Sequence, residues 1–159
     1  MTFHRSPFLT AAIALGLASC AQPVPQAAPP ETPVAADKKP VRKNERGKIT
    51  SISLTELFAL QQADQVLLYD ARPGFFYGLG HLPGAISLPK SADCDAQIIK
   101  REAEIKAALA AKKTIVVYCT NLACPDARTV AIYLAGFGHS SSTLTGGWEA
   151  WKESGLPTE

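Results

Sequence analysis

The run Thr114-Ile115-Val116-Val117-Tyr118 is apolar at every position after the threonine. Alternate side chains of a strand point to opposite sides of a sheet, so a strand built from this run has no face to give to water. Such strands belong to parallel sheets covered on both faces by helices. Val66-Leu67-Leu68-Tyr69 is a second buried run, ending at Asp70, and Ala85-Ile86-Ser87-Leu88 is a shorter one closed by Pro89. Lys48 to Ile52 and Ser142 to Leu144 supply a first and a last strand. Helical stretches lie between them. Ser53 with Glu56 three residues on has the pattern of a capping box, and Leu57, Phe58 and Leu60 give the helix that follows an apolar face. Residues 96–111 have helical composition, with Ile98, Ile99, Ile105 and Leu109 as the buried side. Val130 and Leu134 belong to a helix that stops at Gly136-Phe137-Gly138, and Trp148 to Ser154 forms a last one. Strands alternating with helices predict an α/β fold of three layers: a small, mainly parallel sheet with helices on both faces.

Ligands of open parallel sheets bind beyond the carboxyl ends of the strands. Asp70 and Cys119 sit at such ends. After Cys119 come a short loop and the start of a helix, which Asp126 is expected to cap. Loop amides and the positive end of the helix favour an anion there and lower the pKa of a thiol. Cys119 therefore reads as a thiolate nucleophile, against the plainer reading of a strand-end cysteine that only packs.

The first residues have the character of a targeting segment. His4 and Arg5 precede an apolar stretch from Phe8 to Ala18, shorter than a comfortable bilayer span. It ends in Leu17-Ala18-Ser19-Cys20, which resembles the bacterial lipobox. That resemblance implies a signal peptide over 1–19 and lipidation of Cys20, with membrane anchoring through the acyl chains. Ala21, rather than an aspartate, follows the cysteine, which by the sorting rule of such lipoproteins implies the outer membrane, facing the periplasm. Residues 20–47 read as a lipidated N-terminus and tether: six prolines from Pro23 to Pro40 break helix and strand, and the segment lacks the apolar content to fold. Residues 48–159 remain as one domain. The formal charge of +2 is too small to argue for nucleic acid.

Four landmarks in the folded part resemble the rhodanese (sulfurtransferase) domain, and the likeness covers nearly all of residues 48–157. They are Leu68-Tyr69-Asp70-Ala71-Arg72, then Gly80-His81-Leu82-Pro83-Gly84-Ala85, then the Tyr118-Cys119 loop, and last Gly146-Gly147-Trp148-Glu149 with Gly155-Leu156-Pro157 behind it. The resemblance implies a persulfide relay. Cys119 takes the outer sulfur of a small anionic donor such as thiosulfate and passes it to a thiol or a cyanide-like acceptor, with no cofactor or metal and as a monomer. Backbone N–H groups of Thr120, Asn121, Leu122, Ala123 and Cys124 form the anion cradle in this reading.

The loop departs from the family pattern. Leu122 stands where the family has glycine, so a positive φ there would strain the chain. Cys124 stands where the family often has a cation; Arg128, about one helical turn on, is a candidate replacement for that charge, or else a solvated helix residue. Two roles fit Cys124: a partner that resolves or pairs with Cys119, or a small loop residue turned inward. Cys94, between Asp93 and Asp95, is disfavoured as a thiolate. With Cys20 lipidated, Cys94, Cys119 and Cys124 are an odd number, which leaves one thiol unpaired in a monomer. Asp70, Arg72 and His81 are supporting candidates, each read first as scaffold: the acid and arginine ordering loops, the histidine ordering its turn. The cysteine spacing is wrong for zinc, and Pro125 replaces the arginine that a phosphatase loop needs. Two rival functions stay open, a thiol–disulfide or persulfide redox protein using Cys119 and Cys124, and a binding module that keeps the fold without turnover.

Overall fold

A computed structural model of the protein describes residues 46–159. The expected signal peptide, Cys20 and nearly all of the tether lie outside the described residues. Gly47 already donates its N–H to the Ala135 carbonyl at 3.0 Å, so the domain is engaged one residue before Lys48. No described helix is long and apolar enough to cross a membrane.

The chain alternates as the apolar pattern demands. β1 (Ile49–Ile52), α1 (Leu54–Gln62), β2 (Val66–Asp70), α2 (Gly74–Gly78) and β3 (Ile86–Ser87) form its first half. α3 (Cys94–Lys100), α4 (Glu102–Ala110), β4 (Thr114–Tyr118), α5 (Asp126–Gly136), β5 (Ser141–Leu144) and α6 (Gly147–Glu153) complete it. The strands make one sheet in the order β1-β5-β4-β2-β3, with every neighbouring pair parallel.

The period of two sorts the core into two layers. Leu67, Tyr69, Ile115 and Val117 pack against Ile98, Ile105, Val130 and Leu134 of α3, α4 and α5. Leu68, Val116 and Tyr118 face the other way, with Ile52 and Leu144, against Leu57 of α1 and Trp151 of α6. This parity matters for the site: Cys119 falls in the first layer, whereas Tyr118 belongs to the second. α1 starts as expected, with the Ser53 side chain accepting from the Glu56 N–H and the Glu56 carboxylate accepting from the Ser53 N–H.

Several expected details are corrected. The helix read over 96–111 is two helices, broken at Arg101, whose φ of −98° and ψ of 4° leave the helical range. The Arg101 guanidinium donates to the Ser87 carbonyl at 2.9 Å. Ile98 and Ile105 are fully buried, but Ile99 is 54% and Leu109 39% exposed. Adjacent helical residues point about 100° apart, so a helix face narrow enough to bury Ile98 turns Ile99 outward. β3 pairs over only two residues, and the ladder closes with the Leu88 N–H donating to the Asp70 carbonyl at 2.8 Å. α2, entered through Pro73, was not anticipated. Asp126 is the first residue of α5 rather than its cap: Pro125 takes the capping position, and no side chain bonds the first amides. The acidic group acts there through the helix dipole alone.

Candidate functional site

Cys119 follows directly on β4, between β2 and β5, at the carboxyl edge of the sheet. Its backbone is held from the far end of the sequence. The first amides of α6 turn onto it: Trp148 N–H donates to the Cys119 carbonyl at 2.9 Å, and Glu149 N–H to the Thr120 carbonyl at 2.9 Å. That approach needs glycine at position 147, where φ is +59° and a Cβ would run into the Cys119 carbonyl oxygen.

The loop after Cys119 is folded by Asn121. Its side-chain oxygen accepts from the Ala123 N–H at 3.1 Å, its carbonyl accepts from the Cys124 N–H at 3.2 Å, and its amide donates to Glu149 of α6 at 3.0 Å. Of the five amides expected to form a cradle, those of Ala123 and Cys124 are thus committed within the loop. Those of Thr120, Asn121 and Leu122 carry no hydrogen bond to another described residue. Leu122 is 80% exposed and is not among the residues with positive φ, so the loop carries leucine without the strain a glycine-type conformation would impose.

Cys119 and Cys124 are joined in a disulfide, with 6.1 Å between their Cα atoms. That separation is ordinary for a cystine, so the loop reaches it without reshaping. Cys119 is 3% exposed, whereas Cys124 is half-buried. Both line a cavity of about 220 Å³ with Arg128 from α5 and with Ser51, Thr143 and Thr145 from the ends of β1 and β5. Arg128 is exposed and makes no ion pair among the described residues. A larger cleft of about 290 Å³ lies elsewhere, walled by Phe58, Gln61, Asp64, Leu68, Trp151 and Pro157, and is lined by no cysteine.

Among the described residues, the acids, thiols and imidazoles close enough to share an ion are Cys119, Cys124 and Asp126, with ligand atoms within 4.8 Å. With the sulfurs bonded to each other, that group offers one free carboxylate. Cys94 is the free cysteine of the described residues. It is fully buried, and burial, with Asp95 adding to it, pushes its thiol above the usual range.

Asp70, Arg72 and His81 are not brought to this cavity. Asp70 shares the parity of Tyr118 and is fully buried beside it. Its carboxylate accepts from Tyr118 Oη at 2.7 Å, from Arg72 Nη2 at 2.6 Å and from the Arg72 N–H at 2.9 Å. Arg72 also donates to the Gly80 carbonyl at 2.8 Å and lies 4.5 Å from the Trp148 ring centre. Burial opposes its charge, yet the hydrogen bonds and charge of Asp70 outweigh that and hold the guanidinium above its usual pKa. His81 stacks on Tyr77 at 3.9 Å, and its backbone pairs with Glu159, donating at 2.7 Å and accepting at 3.0 Å. These three residues brace the turn that Trp148 rests against.

The residues that sequence reading missed are Ser51, Thr143 and Thr145. Their signal was weak but present: each lies near the carboxyl end of an expected strand, where ligands of parallel sheets bind. What the sequence lacked was the strand order that sets β1 and β5 on this side of β4.

Comparison with known proteins agrees with this architecture. A family model described as "Rhodanese-like domain" matches residues 53–154. A curated relative, an HTH-type transcriptional regulator of Mycobacterium tuberculosis, is 34% identical over 112 residues, which is 69% of this chain and 44% of that protein. The chain therefore spans less than half the length of that relative. A solved structure from Bacillus halodurans matches with a TM-score of 0.57 at 26% identity, covering 69% of this chain and 76% of the other. A rhodanese-related protein of Thermoplasma volcanium matches with a TM-score of 0.53 at 18% identity, over 69% and 97% of the two chains, a likeness of fold alone.

Proposed function

We propose, because this chain belongs to the rhodanese-like domain family, that its reduced form is a sulfurtransferase whose sulfur carrier is Cys119. The observation that supports this most is the meeting of Cys119 and the exposed Arg128 on one cavity of about 220 Å³. The cavity suits a small anion. The amides of Asn121 and Leu122, without partners among the described residues, and the hydroxyls of Ser51 and Thr145 offer donors around it. With thiosulfate, the Cys119 thiolate attacks the outer sulfur. The old sulfur–sulfur bond breaks, sulfite leaves with its electron pair, and Cys119 holds the sulfur as a persulfide. Arg128 holds the sulfonate end, a charge-assisted contact of about 1.5–3 kcal/mol.

The test is release of sulfite from thiosulfate by the reduced full chain. A burst of about one sulfite per protein, absent in Cys119→Ser, is expected. No burst, or a burst that survives Cys119→Ser, overturns the reading. A second reading, thiol–disulfide exchange without sulfur transfer, draws on the Cys119–Cys124 bond; it predicts electron exchange with thiols and no sulfite.

The tetrad Leu17-Ala18-Ser19-Cys20 supports placing the domain on a membrane through lipid at Cys20. Cys20→Ser should move the protein from the membrane to the soluble fraction.

A further inference from the structure

We infer that Cys124 is a second catalytic cysteine: its thiolate attacks the Cys119 sulfur of the persulfide, closes the Cys119–Cys124 disulfide and expels the carried sulfur as hydrosulfide. This rests on the Cys119 persulfide proposed above and gives that sulfur a destination inside the same loop.

The position of the two sulfurs selects the reaction. A thiol that takes sulfur onward attacks the outer sulfur and becomes a persulfide itself. Cys124 is instead joined to the Sγ of Cys119, the inner sulfur of a persulfide. Attack at that atom has one outcome. The Cys119–Cys124 bond forms, the bond from Cys119 to the carried sulfur breaks with its electron pair on that sulfur, and the carried sulfur, holding the proton that the Cys124 thiol gave up to become the attacking thiolate, leaves as HS⁻. Asn121 sets the loop for this closure, through its two bonds to the Ala123 and Cys124 amides and its anchor on Glu149. A thiol held so close competes with dissolved acceptors as an intramolecular group, which favours it heavily. Cys94 has no part in this, being fully buried.

The disulfide must then be reopened by two electrons from outside, and the class of donor is a dithiol. Exposure sets its direction of entry. Cys124 is half-buried and Cys119 is 3% exposed, so the incoming thiolate attacks Cys124. Cys119 is the leaving thiolate, released near the first turn of α5, whose dipole favours the charge while the Asp126 carboxylate, within 4.8 Å, opposes it. A second thiol of the donor frees Cys124, and the donor departs as its own disulfide. Each cycle turns one sulfane sulfur and one dithiol into hydrosulfide and a disulfide. The transfer half-reaction onto Cys119 is kept, and the full cycle reduces sulfane sulfur with Cys124 in place of an external acceptor.

The experiment follows one turnover of the full chain, reduced and then freed of reductant, with thiosulfate and no added thiol. Sulfite, sulfide and intact mass are read for the wild type and for Cys124→Ser. The wild type should release sulfite and sulfide in equal amounts and end about 2 Da lighter than the reduced protein, while Cys124→Ser should release sulfite alone and hold about 32 Da of added sulfur. Sulfite without sulfide from the wild type, with the added mass retained, overturns the role of Cys124 and leaves the Cys119 persulfide standing. Equal sulfide from Cys124→Ser overturns it too. Absence of sulfite from both proteins removes the persulfide itself, and the inference with it.

Discussion

Replacing Arg72 with methionine isolates what the buried pair does. Met fills most of the volume but removes the guanidinium. Asp70, fully buried, then keeps only the Tyr118 hydroxyl at 2.7 Å and the backbone N–H of residue 72 at 2.9 Å. The bond to Asp70 at 2.6 Å, the bond to the Gly80 carbonyl at 2.8 Å and the cation–π contact with Trp148 at 4.5 Å are all lost. Removing one partner of a buried ion pair costs about 3–5 kcal/mol, because the charge left behind has no water. For a domain of this size, about 4 °C per kcal/mol gives a fall of about 12–20 °C in Tm. Trp148 and Trp151 report unfolding by fluorescence in urea and on heating. The cost belongs to the orphaned charge, so Arg72→Met with Asp70→Asn should be more stable than Arg72→Met alone, by about 1 kcal/mol or more. At low temperature, where Arg72→Met remains folded, its sulfite burst should persist, because neither residue reaches the cysteine cavity. A loss below about 1 kcal/mol, or a double variant less stable than the single one, refutes the energetic argument. A folded Arg72→Met without a burst refutes the scaffold assignment.

Other consequences can be measured directly. Arg128→Gln should raise the KM for thiosulfate about tenfold or more while the single-turnover burst keeps its amplitude; a fall in kcat at unchanged KM would instead give Arg128 a role in the chemical step. The phenols of Tyr69 and Tyr118 are both pushed far above the usual tyrosine range, first by burial and then by Glu104 and Asp70 respectively. The unfolded chain releases those protons near pH 10 and the folded protein keeps them, so stability should fall steadily above about pH 10, and Tyr69→Phe should weaken that dependence. Spectrophotometric titration that ionises both phenols in the intact fold would contradict this. Gly147→Ala should lower stability by about 1 kcal/mol or more through its left-handed φ and slow the sulfite burst by displacing the Cys119 carbonyl; wild-type rates in a folded Gly147→Ala would show that this close approach is unnecessary.

The layers of this fold were legible because its strands are buried on both faces. The runs at Val66–Asp70 and Thr114–Tyr118 leave little choice but a parallel sheet between helices, and the capping box at Ser53 marks the first helix locally. Cys119 was legible for the same reason, as the residue after such a run. The break at Arg101 was not, because the residues around it, Ile99-Lys100-Arg101-Glu102, hold no glycine or proline to mark it. The capping reading of Asp126 failed because Pro125 takes the capping position and places the acid one residue inside the helix. Strand order was the larger gap. It is set by long-range pairing, and with it went the hydroxyls of β1 and β5 that share the cavity with Cys119. The reach of Cys124 was left open for a related cause. A spacing of five allows a cystine, but the turn that closes it is made by Asn121, whose role appears only once its side chain is bonded.

The clamp of α6 on the Cys119 and Thr120 carbonyls has a consequence for biosynthesis. Among the described residues β1 pairs only with β5, across a separation of 92 residues between Thr50 and Ser142, and the amides that fix Cys119 come a few residues later still. A growing chain therefore carries both loop cysteines well before the segment that frames them has been made. The frame around Cys119 closes only once β5 and α6 have packed, with the long-range β1–β5 pairing rather than with the strand that carries the thiol.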